Sequence, residues 1–405
     1  MEGWVKPSTP TQAKGLRVEN PAHTYRVRMI FLVVLLLVVA VVSLCSGRYV
    51  VSPWEMPAVM CDLFTQWVCD VQAWWSTLFS GTMSPLDVLF GTGASGADLS
   101  GTSSTVMLTS GVTTTASGDL QAVTAVGQVR LPRVLVCMVV GAALSVAGAA
   151  YQGMFQNPMA SQDVLGASSG AAFGAALGLF LGVGALFTSV FAFGFGLLAV
   201  FVSYAISRMS RSNRILSMVL AGMVISSLFS SGTSFLKLVA DTESILPAIT
   251  YWLMGSLSSV RASDVAPVFL LVALALVPLY LVRWRINLLA TGEEEALAMG
   301  LNAGRLRILV IVCATFLTAT CISVCGLIGW VGLVIPHFCR LIFGSDYRRV
   351  IPACILAGAA FLLIVDDCSR LFTTSEIPIG ILTSFVGAPV FIWLIARGGG
   401  AREKR

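Results

Sequence analysis

Charge is what this sequence has least of. Only 11% of its residues are Asp, Glu, Lys or Arg and 57% are apolar, whereas soluble domains carry about a quarter charged residues. The shortfall excludes a water-soluble globular enzyme, a disordered regulator and a nucleic-acid binder. Histidine is nearly absent: His23 and His337 are the only two, so no His pair at helical spacing can build a metal site, and none is expected. Lysine is confined to Lys6, Lys14, Lys237 and Lys404, preceded by Val, Ala, Leu and Glu. A loop that cradles nucleotide phosphates ends in Gly-Lys before Ser or Thr. If ATP drives this protein, it is hydrolysed on another polypeptide. The ten cysteines are scattered among apolar residues and do not read as a disulfide framework. Cys321 and Cys325, four apart on one helical face, read as packing, and a Cys61–Cys69 bridge is left open by their spacing.

What the sequence does have is uncharged runs long enough to cross hydrocarbon, roughly 20 residues each. Ten spans fit, at about 29–47, 134–154, 164–184, 185–206, 215–236, 265–282, 308–328, 330–343, 350–368 and 377–396. The fold class expected is therefore an all-α integral membrane protein. The eighth span is short and holds Pro336 and His337, so neighbouring protein must satisfy the backbone groups it frees.

Charge also sets the orientation. With both termini on one side, that side collects 19 of the 25 Lys and Arg residues, which makes it the cytoplasm. The opposite side receives Arg48, Arg130, Arg133, Lys237, Arg261 and Arg370 with 12 of the 20 acids. Arg26 and Arg28 precede a first apolar run with no convincing small-residue cleavage site after it, so it reads as an uncleaved helix. The organisation is a cytoplasmic tail at 1–28, a first span at 29–47, an outer loop at 48–129, a core bundle at 130–396 and a second cytoplasmic tail at 397–405. The outer loop has two zones: around 54–79, Trp54, Trp67, Trp74 and Trp75 suit a helix lying in the interface, and 91–118 is rich in Gly, Ser, Thr and Ala. Asp366 and Asp367 stand beside Arg370 at the outer end of the ninth span. An ion pair or hydrated helix end explains them, with a proton or ion pathway as the alternative.

Several local patterns then recur in order. Arg130-Leu131-Pro132-Arg133 opens the second span and Gly141-Ala142-Ala143-Leu144-Ser145-Val146-Ala147-Gly148 follows within it, a density of small residues that lets helices approach backbone to backbone. Gln156-Asn157-Pro158 marks a turn, and Leu165-Gly166-Ala167-Ser168-Ser169-Gly170-Ala171 enters the third span. Gly292-Glu293-Glu294-Glu295-Ala296 leads to Gly300 in a cytoplasmic loop. Gly332-Leu333-Val334-Ile335-Pro336-His337 lies in the eighth span, and Glu376-Ile377-Pro378 with Gly387-Ala388-Pro389 shapes the tenth.

From about Arg130 to Ala396 this series resembles the FecCD-type permease subunits of ABC importers for iron-siderophores, haem and cobalamin. The resemblance implies a type II importer permease with ten helices, a second permease subunit in a homodimer or paralogous heterodimer, two ABC ATPase subunits carrying ATP and Mg, and an extracytoplasmic substrate-binding protein. No catalytic residue and no cofactor is implied for this chain. By motif, Arg130, Arg133 and Arg370 correspond to the arginines that receive acids of the binding protein. Arginine suits that task because its planar fork grips a carboxylate with two bonds, although anchoring a helix end among headgroups is the other reading. Gly292, Glu293, Glu294, Glu295, Ala296 and Gly300 resemble the coupling helix that fits a cleft on the ATPase; Thr291 and Met299 depart from the family's usual leucines. The resemblance also points to Gly222, Ser226, Ser230, Ser231 and Ser234 as lining a pathway at the subunit interface, though Ser and Gly pack helices equally well. The rival class is an ion-coupled secondary transporter using Asp366, Asp367 or Lys237.

Overall fold

The computed structural model describes residues 21–46, isolated positions between 54 and 65, and 125–209, 214–373 and 376–399. The possible Cys61–Cys69 bridge, most of the interfacial zone and the Gly/Ser/Thr-rich zone fall outside the described residues. Among the described residues the chain forms twelve α-helices: α1 Pro21–Cys45, α2 Leu131–Met154, α3 Ala167–Phe180, α4 Ala185–Met209, α5 Arg214–Val239, α6 Ile245–Met254, α7 Ala262–Thr291, α8 Glu293–Ala298, α9 Ala303–Cys325, α10 Val331–Phe343, α11 Tyr347–Leu371 and α12 Ile379–Gly399. A π-helical turn, Ala125–Arg130, runs straight into α2.

Each expected span coincides with one of these helices, and seven helices are long and apolar enough to cross a bilayer. The third, eighth and tenth spans are carried by α3, α10 and α12, which are shorter in their apolar part. At 1.5 Å per residue, α3 is only about 21 Å long. Two helices extend further than the apolar runs suggest. α1 starts at Pro21, and α7 continues to Thr291 instead of stopping near 282, because its last turns carry Arg283 and Arg285 past the apolar stretch without losing helical hydrogen bonds. α6 corresponds to no expected span, since its ten apolar residues are too few to cross.

The core is built on α2, which is buried over most of its length, with α9 and α11 also mostly enclosed; α1, α4, α5 and α7 are largely exposed. Small residues explain the position of α2. Gly148 lies so close to Gly332 of α10 that a Cβ there would stand 1.8 Å from the Gly332 carbonyl oxygen, and one on Gly141 would stand 2.3 Å from that of Gly358 in α11. Main chain meets main chain at both crossings, as the small-residue run implied.

The Pro336 problem has a specific solution. Proline has no N–H for the carbonyl four residues earlier, which is Gly332. Gln152 of α2 supplies the missing donor: its Nε2 donates to the Gly332 oxygen at 3.4 Å and the Leu333 oxygen at 3.3 Å. The extended stretch before α10 is held in the same way, Gln162 Nε2 donating to the Ile328 oxygen at 3.3 Å.

Candidate functional site

At one end of the bundle, three guanidinium groups cluster with three carboxylates. Arg133, on the first turn of α2, grips Asp366 of α11 with Nε and Nη2 at 3.0 and 2.8 Å, and Glu376 with Nη1 at 3.0 Å from both oxygens. Arg370 pairs with Asp366 at 3.2 Å and also with Asp367, and donates to Ser43 Oγ of α1 at 2.7 Å. Arg130 donates to the carbonyls of Leu44 and Cys45 at 2.8 and 3.3 Å. The network therefore ties α1, α2, α11 and the segment before α12 together, its formal charges in balance.

The three arginines offered for docking a partner's acids are thus engaged within this chain. Arg130 and Arg133 are each only 6% exposed, and their side chains are engaged within the chain. Breaking such a buried pair by removing one partner costs about 3–5 kcal/mol, because the other charge is stranded. The exposed edge of the network is Glu376, whose side chain keeps 31% of its surface. The Asp366–Arg370 and Asp367–Arg370 pairs follow from i,i+4 and i,i+3 spacing on a helix. Arg133 as the member that carries the network to Glu376 has no local signal, being more than 230 residues away in sequence.

At the opposite end the connections between helices run through hydrogen bonds of amide side chains. Gly292 breaks the chain between α7 and α8 at φ 145°, a backbone conformation that favours glycine. α8 then buries Ala296 completely and turns Leu297 and Met299 outward, 58% and 53% exposed. The Ala296 and Met299 amides are paired with the Gly292 and Glu295 oxygens, and Gly300 closes the turn at φ 76°. Of the Glu293 and Glu294 positions only the helical backbone is described.

Below α8 lies a brace that the sequence reading did not single out. Asn287 of α7 donates to Asp346 at 2.7 Å and accepts from the Tyr347 amide at 2.7 Å, at the start of α11. Gln156, just past α2, donates to the Leu289 oxygen at 2.9 Å. Asp346 was legible as a helix N-cap; its bond to Asn287 depends on the fold. Between α2 and α3, Asp163 accepts from the Ser168 amide at 2.7 Å. Burial pushes its carboxyl up to about 6, against the lowering effect of that bond.

Of the five pathway positions, Gly222 packs its backbone against Val164, and Ser226 faces Gly166 and is half-buried. Ser230, Ser231 and Ser234 are exposed, with Ser227, on the face of α5 turned away from the bundle. A cavity of about 570 Å³ opens between α6, the stretch before α10 and α12, lined by Met254, Leu327, Gly380, Ser384 and Phe385 among others.

Comparison with known proteins gives the family. A model described as the FecCD transport family matches residues 94–397. The molybdate import system permease protein MolB of Haemophilus influenzae is 41% identical over 277 residues, covering 67% of this chain and 82% of that protein. A Helicobacter pylori protein named a probable iron chelatin transport system permease is 40% identical over 279 residues, covering 67% and 82%. The solved structure of a metal-chelate type ABC transporter in an inward-facing conformation superposes with a TM-score of 0.73 at 31% identity, over 92% of this chain and all of that one.

Proposed function

This chain belongs to the FecCD transport family, and from that premise we propose that it forms the membrane path for an iron-siderophore or related metal chelate, opened and closed by ATPase subunits docked on α8. It is a multi-pass permease subunit of an ABC importer. ATP and Mg reside on those separate ATPase subunits in this reading, and both termini lie in the cytoplasm. The observation that carries the proposal is the geometry of α8. A six-residue helix beyond the membrane end of α7 turns two large apolar side chains outward while its small Ala296 faces in. A helix meant only for solvent would reverse that arrangement. Leu297 and Met299 supply apolar contact for a partner's cleft, and the Asn287–Asp346 and Gln156–Leu289 bonds join the seat to α11 and α2, so a push on α8 reaches the bundle.

The exposed serines of α5 support a path at the interface with a second permease subunit. Four hydroxyl side chains turned toward acyl chains gain nothing, whereas the same groups facing water and a polar cargo do. A binding protein that delivers the cargo docks at the outer mouth around Arg130, Arg133 and Arg370 in this reading. Since these are engaged internally, its carboxylate has to displace or join Glu376 at the exposed edge.

Reconstitution tests the assignment. Vesicles holding this chain with its co-purifying ATPase are expected to accumulate a radiolabelled ferric siderophore only with ATP and binding protein. Uptake by the chain alone under an ion gradient would replace this reading with a secondary transporter. Because one relative is named for molybdate, competition among ferric siderophore, haemin, cobalamin and molybdate identifies the cargo; selective competition by molybdate alone would move the cargo from a chelate to an oxyanion.

A further inference from the structure

A second cavity, of about 430 Å³, lies where the ends of α7 and α9 meet beside α8. Its polar wall holds the exposed guanidinium groups of Arg285 and Arg305, and its apolar wall includes Leu288, Leu306 and Leu309. No acid is among its lining residues, and neither arginine pairs with an acid among the described residues. Trp284 stands at the rim, 41% exposed, with the Arg285 guanidinium 5.1 Å from its ring centre. Trp beside Arg at the end of an apolar helix marks a membrane–water boundary.

The cavity does not stop at that boundary. On α7, Leu281, Val277 and Leu274 continue the stripe of Trp284 and Leu288 at helical spacing, and they are 65%, 53% and 65% exposed. On α9, Val312 continues the stripe of Arg305 and Leu309 and is 57% exposed. A two-cation pocket thus sits at the end of exposed apolar stripes on the spanning lengths of both helices. A soluble subunit seated on α8 could cover the cations and the Met299–Asn302 side of the cavity, but not stripes that continue into helices of membrane-spanning length and apolarity. One molecule with an anionic head and long apolar chains fits both.

We propose that this is a binding site for one anionic phospholipid, the phosphate held between Arg285 and Arg305 and the acyl chains lying along α7 and α9. The site would fasten α7, whose far end carries α8, to α9 on the other side of the α8 loop. The test uses the full chain in phosphatidylcholine nanodiscs with phosphatidylglycerol titrated in, and native mass spectrometry after release. One phosphatidylglycerol is expected to stay with each chain. Arg285→Gln with Arg305→Gln is expected to weaken its retention by about tenfold or more, two surface cations being removed, while Arg285→Lys with Arg305→Lys keeps most of it. Leu281→Ser with Val312→Ser is expected to weaken retention with both arginines present, and unchanged melting in pure phosphatidylcholine confirms that these variants fold. Equal retention by the double Gln variant would overturn the proposal. So would displacement of the lipid by an equal concentration of glycerol 3-phosphate, which would make the pocket a site for free anions. Loss of ATPase co-purification in the double Gln variant, with lipid retention unchanged, would reassign the pocket to the ATPase seat.

Discussion

The two ends of this bundle hold their polar residues in opposite ways. At the Arg133 end, three arginines and three acids are turned inward and bonded to one another or to the carbonyls of α1. At the α8 end, amide side chains do much of the internal bonding through Asn287 and Gln156, and Arg285, Arg305, Leu297 and Met299 face outward. A buried ion pair is costly to leave half-made and tolerates little rearrangement. Amide bonds near solvent are weaker and can be exchanged for water. The first end holds four segments in register; the second keeps exchangeable bonds beneath an exposed surface.

Four changes test this contrast. Arg133→Glu should have the largest effect, a loss of about 3–5 kcal/mol read as failure to fold or a collapsed melting temperature in detergent. If that variant folds normally and loses only binding-protein docking, the inward-bonded account of this end is wrong. Next in size is a pH effect in the connector between α2 and α3. The folded carboxyl of Asp163 is raised from its usual value near 3.8 to about 6, so the protein is favoured with that group protonated. Its contribution is full below about pH 4 and is lost as pH rises through 6, a change of the order of 3 kcal/mol. Melting temperature should fall across that window in the natural chain and stay flatter in Asp163→Asn, which can still accept from Ser168; parallel curves would remove the assignment.

Asn287→Ala should cost about 1 kcal/mol and lower ATP-driven uptake more than it lowers stability, since it loosens the link between α7 and α11. A purely proportional loss would mean that the brace transmits nothing. Leu297→Asp with Met299→Asp should barely move the melting temperature, by roughly 0.5 kcal/mol or less for exposed positions, yet should abolish co-purification of the ATPase. Retained co-purification would remove α8 from the contact.

How much of this was legible follows from what each feature depends on. Spans were legible because an apolar run of span length has few alternatives, and all ten correspond to helices. The crossings at Gly141 and Gly148 were legible in kind, since runs of small residues have one structural use in a bundle, but their partners Gly358 and Gly332 were not. α6 was hidden because Ile245–Met254 is too short for a span and lies between charged turns. The arginine network was half visible. Asp366, Asp367 and Arg370 share a helix and their pairing follows from spacing, whereas Glu376 and Arg133 meet only through the tertiary fold. α8 stood out by composition and by resemblance; the outward turn of Leu297 and Met299 needed the buried Ala296 to be seen. Gln152 carried no sequence signal, because its task is defined by a proline 184 positions away.

The glycine crossings of α2 have a mechanical consequence. Two helices separated by side chains have slack, since rotamers can shift while the axes slide. At Gly141–Gly358 and Gly148–Gly332 nothing lies between the main chains, and a displacement of about an ångström would either open a void or drive a carbonyl oxygen into an α-carbon. α2, α10 and α11 consequently behave as one stiff plate. The same packing recurs beside the 570 Å³ cavity, where a Cβ on Gly255 would stand 2.4 Å from the Leu327 oxygen, one on Gly326 2.3 Å from that of Trp252 and one on Gly380 2.4 Å from that of Met254. A movement that exposes first one face of the membrane and then the other would have to turn such groups of helices whole, since they have no room to slide past one another.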